Sequence, residues 1–202
     1  GNAGYHFARI AKKAGYKIIA VSDSGGGVFC SSGIDPENVA AHKEATGSVK
    51  GMTGCDQISN EDLIGLQVDI LVPAALENVI TKSNAAKVRA KCVVELANGP
   101  IDNEGDAIIH EAGIPVIPDI LANSGGVTVS YFEWVQNRQG YYWGVEEVHQ
   151  KLTISMEKAS NAIFDLSQIH KTPLRTAAYM SALKRIDEAV RCKGTQKDYA
   201  KK

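Results

Sequence analysis

Apolar positions along the chain alternate between helical spacing and short continuous runs. Phe7, Ile10, Ala11 and Ala14 recur at i, i+3, i+4 and i+7, which predicts an amphipathic helix ended by Gly15. Lys17-Ile18-Ile19-Ala20-Val21 then reads as a strand, and Val28-Phe29-Cys30 as a short edge strand. Asp35-Pro36-Glu37 is a helix start, a capping acid with proline behind it, and Gly47 stops that helix after Thr46. Ser59-Asn60-Glu61-Asp62 has the spacing of a capping box before a brief element. Residues 68–72 predict a buried strand that closes at Pro73-Ala74-Ala75-Leu76, and residues 81–90 a helix. Residues 92–95 predict a strand, 101–112 a helix ending at Gly113, and 114–118 a short strand whose prolines place it at an edge or an end. Strands alternating with helices predict an α/β fold, a Rossmann-like, doubly wound, mostly parallel sheet. Beyond it the periodicity is helical. Leu152, Met156, Ala159, Ile163 and Leu166 form one stripe. Tyr179, Leu183, Ile186 and Val190 form another, after a start at Thr172-Pro173.

The order of elements at the beginning carries chemistry. Gly1-Asn2-Ala3-Gly4 precedes the first helix, a strand follows, and Asp23 comes about 20 residues past the turn. A dinucleotide fingerprint needs this order. Its glycines let backbone approach a pyrophosphate at a helix N-terminus, and its acid takes the ribose hydroxyls. Gly1 and Gly4 fit its second and third glycines. The first glycine and first strand would lie before residue 1, so the chain is expected to be a segment of a longer protein, its sheet truncated by one strand. Ser24-Gly25-Gly26-Gly27-Val28 contains no Arg or Lys to meet a 2′-phosphate, which favours NAD over NADP unless a lysine folds in from elsewhere. Asp23-Ser24-Gly25 reads equally as a plain turn. Ala74 and Ala75, just past a parallel strand, stand where ligands lie in open α/β sheets. They read otherwise as a simple loop exit. Asn98, in Ala97-Asn98-Gly99-Pro100, is either a polar group in the same position or a turn residue.

Ala122 to Asn137 is the second candidate region. Asn123 or Ser124 is an expected N-cap. Gly125 and Gly126 follow, each costing about 1 kcal/mol in a helix, so a bare backbone should serve some purpose there. Asn123, Val127, Ser130 and Trp134 share one helix face, an amide, a small apolar group and a hydroxyl in succession. That face suits the wall of a cleft for a small polar molecule. The alternative is a helix whose Ser130 returns a hydrogen bond to its own backbone.

Composition adds mainly exclusions. In 202 residues the net charge is −1, with 44% hydrophobic and 22% charged residues, so no basic excess points to nucleic acid beyond the weak Lys201-Lys202 end. No apolar run approaches ~18 residues, and no membrane span or signal peptide is expected. Cys30, Cys55, Cys92 and Cys192 are widely spaced and read as free thiols in a reducing compartment, the cytoplasm or a mitochondrial matrix. His6, His42, His110, His149 and His170 have no second ligand at i+3 or i+4, so no metal site is assigned. Tyr141, Tyr142 and Trp143, within a loop at 140–144, read as packing rather than a base-stacking platform.

Taken in order, GNAG, AVSDSGG, VPAALEN, ELANGP and ILANSGGVTVSYFEWVQN, with TPLRTAAY at 172–179, resemble the C-terminal, dinucleotide-binding part of the glutamate dehydrogenase family. The resemblance covers nearly the whole chain, and the longest motif is highly specific. It implies a Rossmann-like domain over residues 1–139, with one reversed strand, and a helical extension over 140–202. It implies oxidative deamination of L-glutamate to 2-oxoglutarate and ammonia, with hydride passed to NAD (NADP possible), by a homo-hexamer. By motif, Asn2 and Ala3 would line the pyrophosphate turn, and Asp23 and Ser24 the adenosine ribose. Ala74 and Ala75 would lie along the cofactor, Asn98 and Asn123 on the nicotinamide side. Val127 and Ser130 would touch the substrate, Ser130 donating to its side-chain carboxylate. The family's catalytic lysine and aspartate belong to another domain and match no position here, so the segment alone is expected to be inactive. The alternatives are a leucine, phenylalanine or valine dehydrogenase, to which Ser130 would be of no use, and a nucleotide-binding module without chemistry.

Overall fold

Asp23 and Gly26 face one another across a two-residue turn, and this turn sets the first sheet. Strand β1 (Ala20–Asp23) pairs antiparallel with β2 (Gly26–Phe29), and β2 pairs antiparallel with β3 (Asp56–Ile58). A two-residue connection can join only antiparallel strands. Gly26 sits at φ +129°, which residues with a side chain rarely adopt. The segment around 28–30 is therefore the middle strand of this sheet, not an edge strand. The computed structural model describes residues 1–193; the Lys201-Lys202 end lies outside them. Packing divides the chain into two units, Gly1–Pro115 and Val116–Lys202.

In the first unit, helix α1 (Asn2–Lys13) packs on α2 (Pro36–Thr46). The side of α1 that faces α2 is not the apolar stripe expected from its sequence. Ala8 is buried while Ile10 is 66% exposed, because Tyr5, Arg9 and Lys12 reach the acids that start α2. Asp35 caps α2 by accepting from the Glu37 N–H, and Gly47 ends it at φ +84°. Ser59 and Asp62 close the expected capping box on the short helix α3 (Asn60–Ile64).

Strand β4 (Ile70–Leu71) pairs in parallel with β5 (Cys92–Val94), which gives the α/β fold its parallel sheet. Between them, the helix expected over residues 81–90 is absent. Only a 3-10 turn, Ala85–Lys87, forms there. Asn84 is responsible: its side-chain oxygen accepts from the Thr81 N–H and its amide donates to the Val79 carbonyl. Side-chain bonds to nearby backbone compete with a helix ladder in this way. Ile80 instead makes an isolated parallel bridge to Ile101. Helix α4 (Asn103–Glu111), capped by Asp102, covers this part of the core with Ile109.

The second unit opens with β6 (Val116–Ile117) and the short helix α5 (Asp119–Ala122). Three long helices follow, α6 (Ser124–Gln139), α7 (Val145–His170) and α8 (Leu174–Lys193). Leu121, Ile163, Leu174, Ala177 and Ala178 form its core, with Ala159 and Leu166 of the α7 stripe against it. Phe132 is buried and its ring meets Trp143 at 5.6 Å, a side chain whose burial contributes on the order of 2–3 kcal/mol. Of the loop aromatics, Trp143 packs, whereas Tyr141 and Tyr142 are exposed. No helix among the described residues is long and apolar enough to cross a membrane.

Candidate functional site

The first unit brings two groups of expected site residues into defined surroundings. One lies past the carboxyl ends of β4 and β5. Both the Leu96 and Ala97 N–H groups donate to the Pro73 carbonyl at 3.0 Å, so the loops after the two strands are tied side by side. The Asn78 N–H donates to the Gly99 carbonyl at 2.9 Å and closes the same edge. Ala74 and Ala75 project from one loop and Asn98, exposed, from the other. The start of α1 sits against this edge: a Cβ added to Gly4 would lie 3.5 Å from the Ala74 Cβ. Gly1 is the N-cap of α1, without a side-chain capping bond, and the first intrahelical bond is Tyr5 N–H to the Gly1 carbonyl. The N–H groups of Asn2, Ala3 and Gly4 thus have no acceptor within the helix, and no acid occupies that turn. Free N–H groups at the positive end of a helix dipole suit an anion. This cradle of small residues fits a dinucleotide pyrophosphate.

The second group surrounds Asp23 and includes the lysine from elsewhere that the sequence left open. Lys43, twenty residues along on α2, folds back to place its Nζ 2.8 Å from Asp23 Oδ2. The Val49 N–H donates to the same oxygen, while the Gly25 N–H and the Ser48 hydroxyl donate to Oδ1. Burial opposes ionisation of Asp23, but Lys43, the two N–H groups and Ser48 outweigh it and hold the carboxyl well below the usual carboxylate range. A cation therefore does stand by Asp23, brought by the tertiary fold rather than by the run Ser24–Val28. Asp23 also closes the β1–β2 turn through Gly25, so the plain-turn geometry is realised there. Ser24 is exposed beside it. Sequence reading missed Lys43, Ser48 and Val49; the spacing of Asp23 and Lys43 carries no local signal that they meet.

In the second unit, Asn123 is the N-cap of α6, but its side chain makes no capping bond, and the Ser124 hydroxyl donates to the Leu121 carbonyl instead. The two glycines divide their roles. A Cβ on Gly125 would lie 3.7 Å from Leu152 and 3.8 Å from the Met156 sulfur, so Gly125 serves the contact of α6 with α7. A Cβ on Gly126 would meet nothing within 4 Å. Val127 is 74% exposed and Ser130 and Trp134 are exposed on the same face, while Phe132 and Gln136 form the buried one. The Ser130 hydroxyl donates to the Gly126 carbonyl at 3.1 Å, a bond back to its own helix. The hydroxyl can rotate toward a ligand at the expense of that one bond. Among the described residues no cluster of three or more His, Cys, Asp or Glu could hold a metal ion.

Comparison with known proteins identifies the setting of these residues. A model of the Glutamate/Leucine/Phenylalanine/Valine dehydrogenase family matches residues 1–194. The NADP-specific glutamate dehydrogenase of Synechocystis is 46% identical over 98% of this chain and 49% of its own length. The cryptic catabolic NAD-specific glutamate dehydrogenase of Bacillus subtilis is 45% identical over 96% of this chain and 45% of its own. The hetero-hexameric glutamate dehydrogenase of Thermus thermophilus superposes with a TM-score of 0.90 at 33% identity, over 96% of this chain and 46% of that one. The chain thus spans about half the length of the relatives it matches. It belongs to the Glutamate/Leucine/Phenylalanine/Valine dehydrogenase family.

Proposed function

We propose that this chain is the cofactor-binding half of a glutamate dehydrogenase, which converts L-glutamate to 2-oxoglutarate and ammonia in either direction. The observation that carries the reading is the cradle at the carboxyl ends of β4 and β5, with the bare first turn of α1 so near that a Cβ on Gly4 would touch Ala74. Gly1, Asn2, Ala3 and Gly4 hold the pyrophosphate, Asp23 and Ser24 the ribose, and Ala74, Ala75, Asn98 and Asn123 the remainder of the dinucleotide. When bound, the nicotinamide supplies the hydride acceptor. Val127 and Ser130 touch the substrate, the Ser130 hydroxyl leaving the Gly126 carbonyl to donate to a carboxylate. The catalytic acid and base come from the other half of the protein, and the intact enzyme is a homo-hexamer.

NAD is the favoured cofactor. While Asp23 is ionised it compensates Lys43, so a 2′-phosphate would meet no net positive charge, whereas a 2′-hydroxyl can donate to the carboxylate. Lys43 itself supports NADP as the second reading, and the similar dehydrogenases named above include both specificities.

The test uses the full-length protein with each amino acid in turn and follows formation of reduced nicotinamide. Turnover with L-glutamate well above that with leucine, phenylalanine or valine is expected. Preference for leucine would replace glutamate by a branched-chain substrate, and dinucleotide binding without turnover of any amino acid would leave a binding module. The isolated 202-residue chain is expected to bind dinucleotide weakly and turn over nothing; a measurable rate from it would overturn the assignment of acid and base to the missing half.

A further inference from the structure

Two of the four cysteines, twenty-five positions apart in sequence, meet across the first sheet. The antiparallel register of β2 and β3 pairs Gly27 with Ile58, Val28 with Gln57 and Phe29 with Asp56. Continued one step beyond the ends of both strands, this register sets Cys30 opposite Cys55, and the two side chains interact. Residues directly opposite in an antiparallel pair have Cα atoms about 4.5–5.5 Å apart, and a disulfide needs about 4.4–6.8 Å. A register continued in this way carries the backbone spacing that a disulfide needs. The Cys30 Sγ reaches the Gly54 carbonyl at 3.7 Å, so it is turned toward the chain that carries Cys55. Both thiols are free and only partly covered. Nothing in the dinucleotide site uses either.

We infer that Cys30 and Cys55 form a reversible dithiol–disulfide pair that is closed by low-molecular-weight disulfides. The Ser32 hydroxyl, 3.0 Å from Cys30 Sγ, and the Cys55 thiol beside it favour the Cys30 thiolate, while burial and the neighbouring Cys30 keep Cys55 protonated longer. This makes Cys30 the attacking sulfur. Its thiolate displaces one thiolate from the small disulfide and forms a mixed disulfide. Cys55, losing its proton, then attacks the Cys30 sulfur and releases the second small thiolate. The two protons given up by the cysteines end on the two released thiols. Two cysteines are oxidised by two electrons, and one small disulfide is reduced to two thiols. The bond closes the segment that delivers Ser48 and Val49 to Asp23.

The experiment titrates the full-length protein carrying Cys192→Ser with oxidised glutathione, then alkylates free thiols and maps peptides without reduction. The substitution removes the exposed thiol of α8, which could join two molecules. Peptides containing Cys30 and Cys55 are expected joined to one another, with Cys92 still alkylated and the link lost on adding dithiothreitol. With Cys55→Ser added, glutathione should remain attached to Cys30. With Cys30→Ser added, the joined peptides should vanish and the initial reaction slow at least tenfold. Cys30 and Cys55 both remaining alkylatable at every glutathione ratio would overturn the inference. So would mixed disulfides that never resolve in the protein retaining both cysteines.

Discussion

Four donors converge on the two oxygens of Asp23, about as many as an ionised carboxylate can accept. A ribose hydroxyl bound there, as proposed, would have to displace one of them, and Lys43, 39% exposed at the end of a long side chain, can swing away. Asp23→Asn keeps the shape, removes the charge and leaves Lys43 uncompensated. The ratio of NADP to NAD affinity in the full-length protein should then rise about tenfold, roughly 1.4 kcal/mol. An unchanged ratio by fluorescence titration would remove Asp23 from cofactor selection. The depressed pKa of Asp23 also has a sign. Its contribution to stability is complete above the ordinary carboxylate range and is lost progressively as pH falls from that range through the lower folded value. In acid titrations Asp23→Asn should therefore differ from the parent by a constant amount between pH ~7 and ~5, and the difference should shrink only in stronger acid. Ser130→Ala tests the substrate contact proposed for the second unit. Losing one hydrogen bond to a charged carboxylate costs about 1.5–3 kcal/mol, so KM for glutamate should rise at least tenfold with the KM for the dinucleotide unchanged. Equal KM values for glutamate would return Ser130 to its local bond with Gly126.

Helix α2 and the segment at 81–90 mark the limits of reading elements from local signals. The acid, proline and glycine that bound α2 act on neighbouring backbone only, and the helix runs over the predicted residues. At 81–90 the helical residues are present, but Asn84 redirects the chain through Val79, outside any helix period. The hairpin of β1 and β2 was hidden for a related reason: Ser24-Gly25 serves equally as a turn between strands and as the exit of a parallel strand. Asp35 joins the two levels. It caps α2 and receives Lys12 of α1 at 2.7 Å. Asp35→Ala should lower stability by about 1–2 kcal/mol, mostly from the lost cap. A fall in the urea midpoint at constant slope would show this, and a shift below 0.3 kcal/mol would mean that water replaces the cap.

At the scale of the molecule, the two apolar stripes of the C-terminal helices have different fates. That of α7 meets a core through Ile163, Ala159 and Leu166. On α8, Tyr179, Leu183 and Ile186 are each more than half exposed. Periodicity shows that a helix has an apolar face; it cannot show which surface covers it. The same distinction runs through the functional residues. Order and local chemistry were enough for the α/β alternation, the caps of α2 and α3 and the family motifs, because each depends on residues within a few positions of one another. The approach of Gly4 to Ala74, the arrival of Lys43 and Ser48 at Asp23 and the nearness of Cys30 and Cys55 came only from the tertiary structure. Each joins residues brought close by strand register or helix packing, and register is set by which faces are buried, not by the identity of the residues that happen to meet.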